Sequence, residues 1–134
     1  CSDNFDTRYA LNAACLRHRR PLVTGAVIRM EGQVMVFPFQ ADPRPPCYRC
    51  LYREAPDPDE TERCSVTGVL GPAAGLIGTL QACEAVKQLV GIGEGLAGKL
   101  LLADALTMDF RTIRLSHDPE CPACSSLPSP SGNG

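Results

Sequence analysis

Hydrophobic and polar positions fall into a few periodic stretches. Phe5, Tyr9, Asn12 and Leu16 recur at helical spacing, with Asp3 placed to cap and Pro21 just beyond, which predicts a helix to about Arg17. Leu22 to Ile28 is apolar and partly β-branched, the pattern of a buried strand. Gln33 to Phe39 alternates more loosely, with Val34, Val36 and Pro38 on one side and Glu31-Gly32 as the turn before it. Pro38 cannot donate to a ladder, so this second strand is expected at a sheet edge.

From Ala41 to Arg63 the pattern breaks down into five prolines and the acidic residues Glu54, Asp57, Asp59, Glu60 and Glu62, a long loop. Gly71-Pro72 then opens a second helix, Pro72 to about Val90, with Leu76, Leu80, Cys83 and Val90 on one face and Gly91 and Gly93 ending it. Gly75, Gly78, Ala82 and Ala85 in its interior are expected to let another backbone approach closely. Lys99 to Ala103 and Phe110 to Leu115 read as two more strands, and helices mixed with strands make the class α/β.

Composition narrows this. A chain of 134 residues is the size of one domain, and 44% hydrophobic with 21% charged residues is enough for a core. The formal net charge of −2 supplies no field for a phosphate backbone, so nucleic acid is not an expected partner. Nor is a membrane, because the longest apolar candidate, Val69 to Leu80, contains three Gly and a Pro and runs into Gln81, Glu84 and Lys87. The first residue, Cys rather than Met, suggests an excised or processed piece. A lipid-anchored start at Cys1-Ser2-Asp3 is the weaker reading, since a helix pattern begins at once without a tether. Ser125 to Gly134 is Ser, Pro and Gly with one Leu and one Asn, and reads as a disordered tail or linker.

The eight cysteines carry most of the candidate chemistry. Cys47-Tyr-Arg-Cys50 and Cys121-Pro-Ala-Cys124 are two C-x-x-C knuckles, each able to present two thiolates from a tight turn, and together they complete a tetrahedral four-sulfur set. Zinc is the expected ion, with iron or a disulfide framework as the alternatives, and with all four positions filled its role is structural. Cys15 and Cys83 fall in helix patterns as small buried hydrophobes. Cys64 lies between the acidic loop and the Gly-rich start of the second helix, where backbone N–H groups favour a thiolate. His18 and His117 sit in charged or turn contexts and read as solvated, as do Arg17, Arg19 and Arg20 at a helix end. Asp3 is either a helix cap alone or a metal and phosphate contact at a strand-to-helix junction. No G-K-[ST] loop occurs in the 134 residues, and the G-x-G-x-x-G spacing at Gly93, Gly95 and Gly98 follows a helix pattern and leads into the Lys99 to Ala103 strand pattern, not into a helix as a nucleotide loop does.

Several strings in order resemble the C-terminal half of the MoeB/ThiF/HesA family, bacterial relatives of the ubiquitin-activating enzymes. They are Ser2-Asp-Asn-Phe5 with Arg8 and Asn12; Pro21-Leu-Val with Gly25; Arg29-Met-Glu-Gly-Gln33; Cys47-Tyr-Arg-Cys-Leu51; Cys64 followed by Gly68-Val69 and Gly71-Pro72; Gly78-Thr-Leu-Gln81 with Glu84 and Lys87; Asp104; and Cys121-x-x-Cys124. The resemblance covers about residues 1–125, and the Arg29–Gln33 string leans toward the molybdopterin branch over the thiamine branch.

The resemblance implies half of a Rossmann-like fold: residues 1–124, a mixed sheet with flanking helices and a structural zinc, followed by the tail at 125–134. It implies a cytoplasmic adenylyltransferase that uses ATP and Mg²⁺ to activate the C-terminal Gly-Gly carboxylate of a ubiquitin-like sulfur carrier of the MoaD or ThiS type. The acyl-adenylate is then converted to a thiocarboxylate by a sulfur donor such as a cysteine desulfurase or rhodanese. By the match, Asp3 is the family's aspartate at the ATP and Mg²⁺ site, where the metal neutralises charge on the phosphates. Cys64 is the position that carries a sulfur-transfer linkage in some members, and the knuckles are the family's zinc ligands. The loop from about Tyr52 to Arg63 matches the segment that crosses the carrier's tail. The second helix and later strands are expected to help form a carrier-binding face and a homodimer.

This sequence departs from the family pattern in lacking the glycine-rich nucleotide loop and the basic phosphate grip, which lie before the Asp3 motif. The alternative reading is a non-catalytic, zinc-stabilised carrier-binding module. A redox protein built on the C-x-x-C pairs is disfavoured because neither pair begins a predicted helix.

Overall fold

The computed structural model describes residues 4–41, 45–57 and 68–126. Helix α1 spans Phe5–Arg17, and its cap is Asn4 rather than the expected Asp3: Asn4 is extended, and its Oδ1 accepts the Thr7 N–H at 2.8 Å. The shift is one residue in a Ser-Asp-Asn run in which all three side chains can cap. Asp3 itself lies outside the described residues. Asn12 and Leu16 are buried, as their spacing predicts.

Strands β1 (Leu22–Ile28) and β2 (Glu31–Phe37) form an antiparallel hairpin in which Ile28 pairs with Glu31. The turn is therefore Arg29-Met30, not Glu31-Gly32, and Arg29 takes a left-handed φ of 56° to close it. β3 (Lys99–Asp104) and β4 (Asp109–Arg114) follow, and the sheet order is β1-β2-β3-β4 with every neighbour antiparallel. Among the described residues parallel pairing is confined to two single bridges, Arg29 with Val69 and Val36 with Ala97. Pro38 does not mark a sheet edge. It falls just after β2 ends, so it removes no ladder bond, and β2 is an inner strand paired on both sides.

The long helix, α3 below, spans Gly71–Val90 and stops at Gly91, whose φ of 72° only glycine adopts without strain. Its buried residues are Ala73, Ile77 and Glu84, while Leu76 and Leu80 are half-buried. Cys83 is exposed and Val90 is 62% exposed, so the expected face is rotated. The close approach comes from the strands and not from the helix. A Cβ at Gly32 would lie 2.3 Å from Ile77 Cγ1 and one at Gly25 would lie 2.5 Å from Gln81 Cδ, whereas a Cβ at Gly75 or Gly78 would meet nothing within 4 Å among the described residues. At its far end Glu84, buried, accepts the Leu96 N–H at 2.9 Å and pairs with Lys87, which fixes the loop into β3.

Strand alternation divides the core between two faces of the sheet. Val34 packs with Ile77 and Ala103 under α3. Met35 and Phe37 point the other way, into a cluster with Leu16, Phe39, Tyr48, Leu100 and three cysteines. Phe37 has 0% exposure, and burying such a side chain stabilises the fold by about 1.5–3 kcal/mol. One sheet face thus serves α3, and the other forms the floor beneath the cysteines. No helix among the described residues is long and apolar enough to cross a membrane.

Candidate metal centre

Helix α2 is a single turn, Tyr48–Leu51, and Cys47 is its extended N-cap. The turn closes through Cys50 N–H to Cys47 O at 3.0 Å, and the Cys47 N–H points at Cys50 Sγ, 3.3 Å away. That geometry brings both thiols to the same side. The second knuckle is held by Cys121 N–H to Asp118 O and Ser125 N–H to Cys121 O, each 3.1 Å. The two turns meet over Met35, Phe37 and Leu100.

All four Sγ atoms lie within 4.8 Å of one another, with Cys47 to Cys121 at 3.6 Å, Cys47 to Cys50 at 3.9 Å and Cys50 to Cys124 at 3.5 Å. Zinc–thiolate bonds of about 2.3 Å in a tetrahedron require S···S edges of about 3.8 Å, so the cluster has the size of one ion. A disulfide needs about 2.05 Å. The six described cysteines are all free thiols. Cys47, Cys121 and Cys124 have 0% exposure. Crowding four thiols into an apolar interior is costly, and a metal ion bound by all four offsets that cost.

The protonation pattern follows from crowding. The hydrogen bond from Cys47 is the chief cause that lowers the Cys50 thiol to about 4, with backbone hydrogen bonds from Asp118 and Cys47 adding to it. That same bond pushes Cys47 far up, followed by burial and by its charged neighbours. Burial first, then the bond to Cys50, raises Cys124 to about 12. Without a cation the set supports one thiolate readily, and a divalent ion is what allows four.

A polar and aromatic shell ties this centre to α1. Asn12 Oδ1 accepts the Tyr48 N–H at 2.9 Å, Arg8 donates to the Tyr48 hydroxyl at 3.2 Å, and the Tyr9 hydroxyl donates to Tyr52 O at 3.1 Å. Phe5, Tyr9, Tyr48 and Tyr52 pack with ring centroids 5.0–6.5 Å apart, and Arg49 lies 4.7 Å over the Tyr9 ring. Gln33 Nε2 donates to the Tyr52 hydroxyl at 3.0 Å, so β2 joins the same network.

The structure therefore brings together Cys47, Cys50, Cys121 and Cys124, the four expected ligands. Asp3 and Cys64, the expected catalytic residues, lie outside the described residues. Cys15 is half-buried and its thiol is raised by desolvation, which suits a packing role. His18 is exposed, as expected. His117 is also exposed, but its Nε2 lies 3.4 Å from Cys124 Sγ, a contact that nothing in the Ser-His-Asp-Pro string signals. Contrary to the expectation that neither knuckle begins a helix, Cys47 caps α2. What separates this centre from a redox pair is the convergence of both knuckles on one point.

The model of the ThiF family matches residues 1–123. Two curated relatives, each named adenylyltransferase and sulfurtransferase MOCS3, are 48% identical over 130 residues in Drosophila willistoni and 44% identical over 129 in Drosophila virilis. Each alignment covers 96% of this chain and 28% of the relative, so the chain spans under a third of their length. Among solved structures, Escherichia coli MccB with MccA-N7isoASN superposes with a TM-score of 0.70 at 13% identity, over 94% of this chain and 39% of that one. At that identity the likeness is one of fold.

Proposed function

The chain belongs to the ThiF family, and from that premise we propose that it supplies the C-terminal part of an adenylyltransferase acting on a ubiquitin-like sulfur carrier. The match to relatives named adenylyltransferase and sulfurtransferase, at 43–48% identity over 96% of the chain, is the observation that carries the reading. In the proposed reaction an oxygen of the carrier's C-terminal glycine carboxylate attacks the α-phosphorus of ATP. The bond to the bridging oxygen of the β-phosphate breaks, pyrophosphate leaves, and an acyl-adenylate remains. The outer sulfur of a donor's persulfide then displaces AMP as an acyl disulfide, and a second thiol attacks the donor's own sulfur, releasing the thiocarboxylate and leaving a disulfide, the molybdopterin branch being favoured over thiamine.

On this reading Asp3 is a ligand at the Mg·ATP site, just before the Asn4 cap, and Cys64 is the position for a sulfur-transfer linkage. Mg²⁺ supplies charge neutralisation on the phosphates. The four cysteines hold zinc in a closed structural set, and the hydrogen bonds from Arg8, Tyr9 and Asn12 to the first knuckle support this role by coupling α1 to it. Zinc there fixes the ground beneath the helix that follows Asp3. A homodimer and a cytoplasmic location complete the proposal, with the nucleotide loop supplied by residues other than these 134.

The experiment is a chimera in which this chain replaces the matching segment of the Drosophila willistoni relative. The reading predicts ATP–pyrophosphate exchange that depends on a carrier with an intact Gly-Gly terminus and is lost in Asp3→Asn. A folded, zinc-loaded chimera with no exchange overturns it in favour of a non-catalytic carrier-binding module.

A further inference from the structure

We propose that His117 is a positioning residue of the metal centre, donating its Nε2–H to Cys124 Sγ and shielding that sulfur from attack. The inference rests on the reading that the four cysteines hold zinc. His117 Nε2 and Cys124 Sγ are 3.4 Å apart, within reach of an N–H···S hydrogen bond. In a metal-bound set Cys124 is a thiolate with no proton to give, so the hydrogen in this pair belongs to the imidazole. Both the neutral Nε2–H tautomer and the imidazolium can make the bond, so it does not hinge on the charge of the ring.

His117 is exposed, yet the turn that carries it is pinned. Asp118 Oδ2 pairs with Arg53 at 2.5 Å, Asp118 Oδ1 accepts the Glu120 N–H at 2.9 Å, and Asp118 O accepts the Cys121 N–H at 3.1 Å. Arg53 lies three residues beyond Cys50, so the ion pair fastens the turn before the second knuckle to the segment after the first. His117 thus folds back over a ligand seven residues ahead of it. A hydrogen bond to a thiolate drains charge from sulfur, and a less charged sulfur is a poorer nucleophile toward alkylating and oxidising agents.

The test follows zinc release from the full 134-residue chain challenged with N-ethylmaleimide, read with a colorimetric zinc chelator, for wild type, His117→Ala and His117→Gln. Outer-sphere partners contribute about 10–100-fold in metal affinity, and an exposed one belongs at the low end, so His117→Ala should release zinc about tenfold faster. His117→Gln keeps an N–H donor and should release it close to the wild-type rate. A zinc-loaded His117→Ala chain that releases at the wild-type rate overturns the proposal, as does a His117→Gln chain as fast as His117→Ala. A wild-type chain carrying no zinc overturns the metal reading, and this proposal with it.

Discussion

The side chain of Asn12, in the middle of α1, accepts the backbone N–H of Tyr48 at 2.9 Å, the first residue after Cys47. Both residues are essentially without exposure, and 36 residues separate them. The bond fixes the first knuckle to the helix that starts just after Asp3. In Asn12→Ala the Tyr48 N–H is left buried and unpaired, a cost of about 1–3 kcal/mol. Asn12 Nδ2 has no partner among the described residues, which offsets part of that loss. Urea unfolding of the zinc-loaded chain should show the midpoint falling accordingly, and an unchanged midpoint would remove the bond from the account.

Gly32 lies under Ile77 with no room for a methyl group. Gly32→Ala forces a 3% exposed, β-branched side chain to move, an overpacking cost of about 1–3 kcal/mol. In an Ile77→Ala background the same substitution should cost much less, because the atoms it meets are gone. Equal costs in the two backgrounds, from a double-mutant cycle, would mean that Gly32 matters for backbone freedom and not for the approach of α3.

No G-K-[ST] occurs in these 134 residues, the Gly93-x-Gly95-x-x-Gly98 string leads into β3 and opens no helix, and Asp3 brings a negative charge without the basic partners of a phosphate-binding loop. Titration calorimetry of Mg·ATP into this chain should show no micromolar binding, while the chimera binds. Micromolar affinity of the chain alone would place a complete nucleotide site within it.

Local patterns made the elements legible, and tertiary pairing decided what they face. Gly71-Pro72 and Gly91 marked the ends of α3 because the chemistry of helix ends is local. The buried face of α3 differs from the expected one because Ile77 and Leu89, off the stripe of Leu76, Leu80, Cys83 and Val90, leave the helix apolar nearly all round. The deciding residues, Gly25 and Gly32, sit on other elements. Pro38 suggested an edge because a strand's end cannot be placed to the residue from alternation alone. The four candidate ligands were legible as two knuckles, since C-x-x-C encodes its own turn. His117 and Asn12 were not, because each reaches a partner that only the folded chain brings near.

The central claim is that one zinc ion joins the two knuckles and holds residues 47–50 against 121–124. Elemental analysis of the purified chain, with thermal melts of wild type and Cys50→Ser, tests it most directly. The account predicts about one zinc per chain, lost in Cys50→Ser together with a clear drop in melting temperature. Full zinc retention in Cys50→Ser with an unchanged melting curve would contradict it.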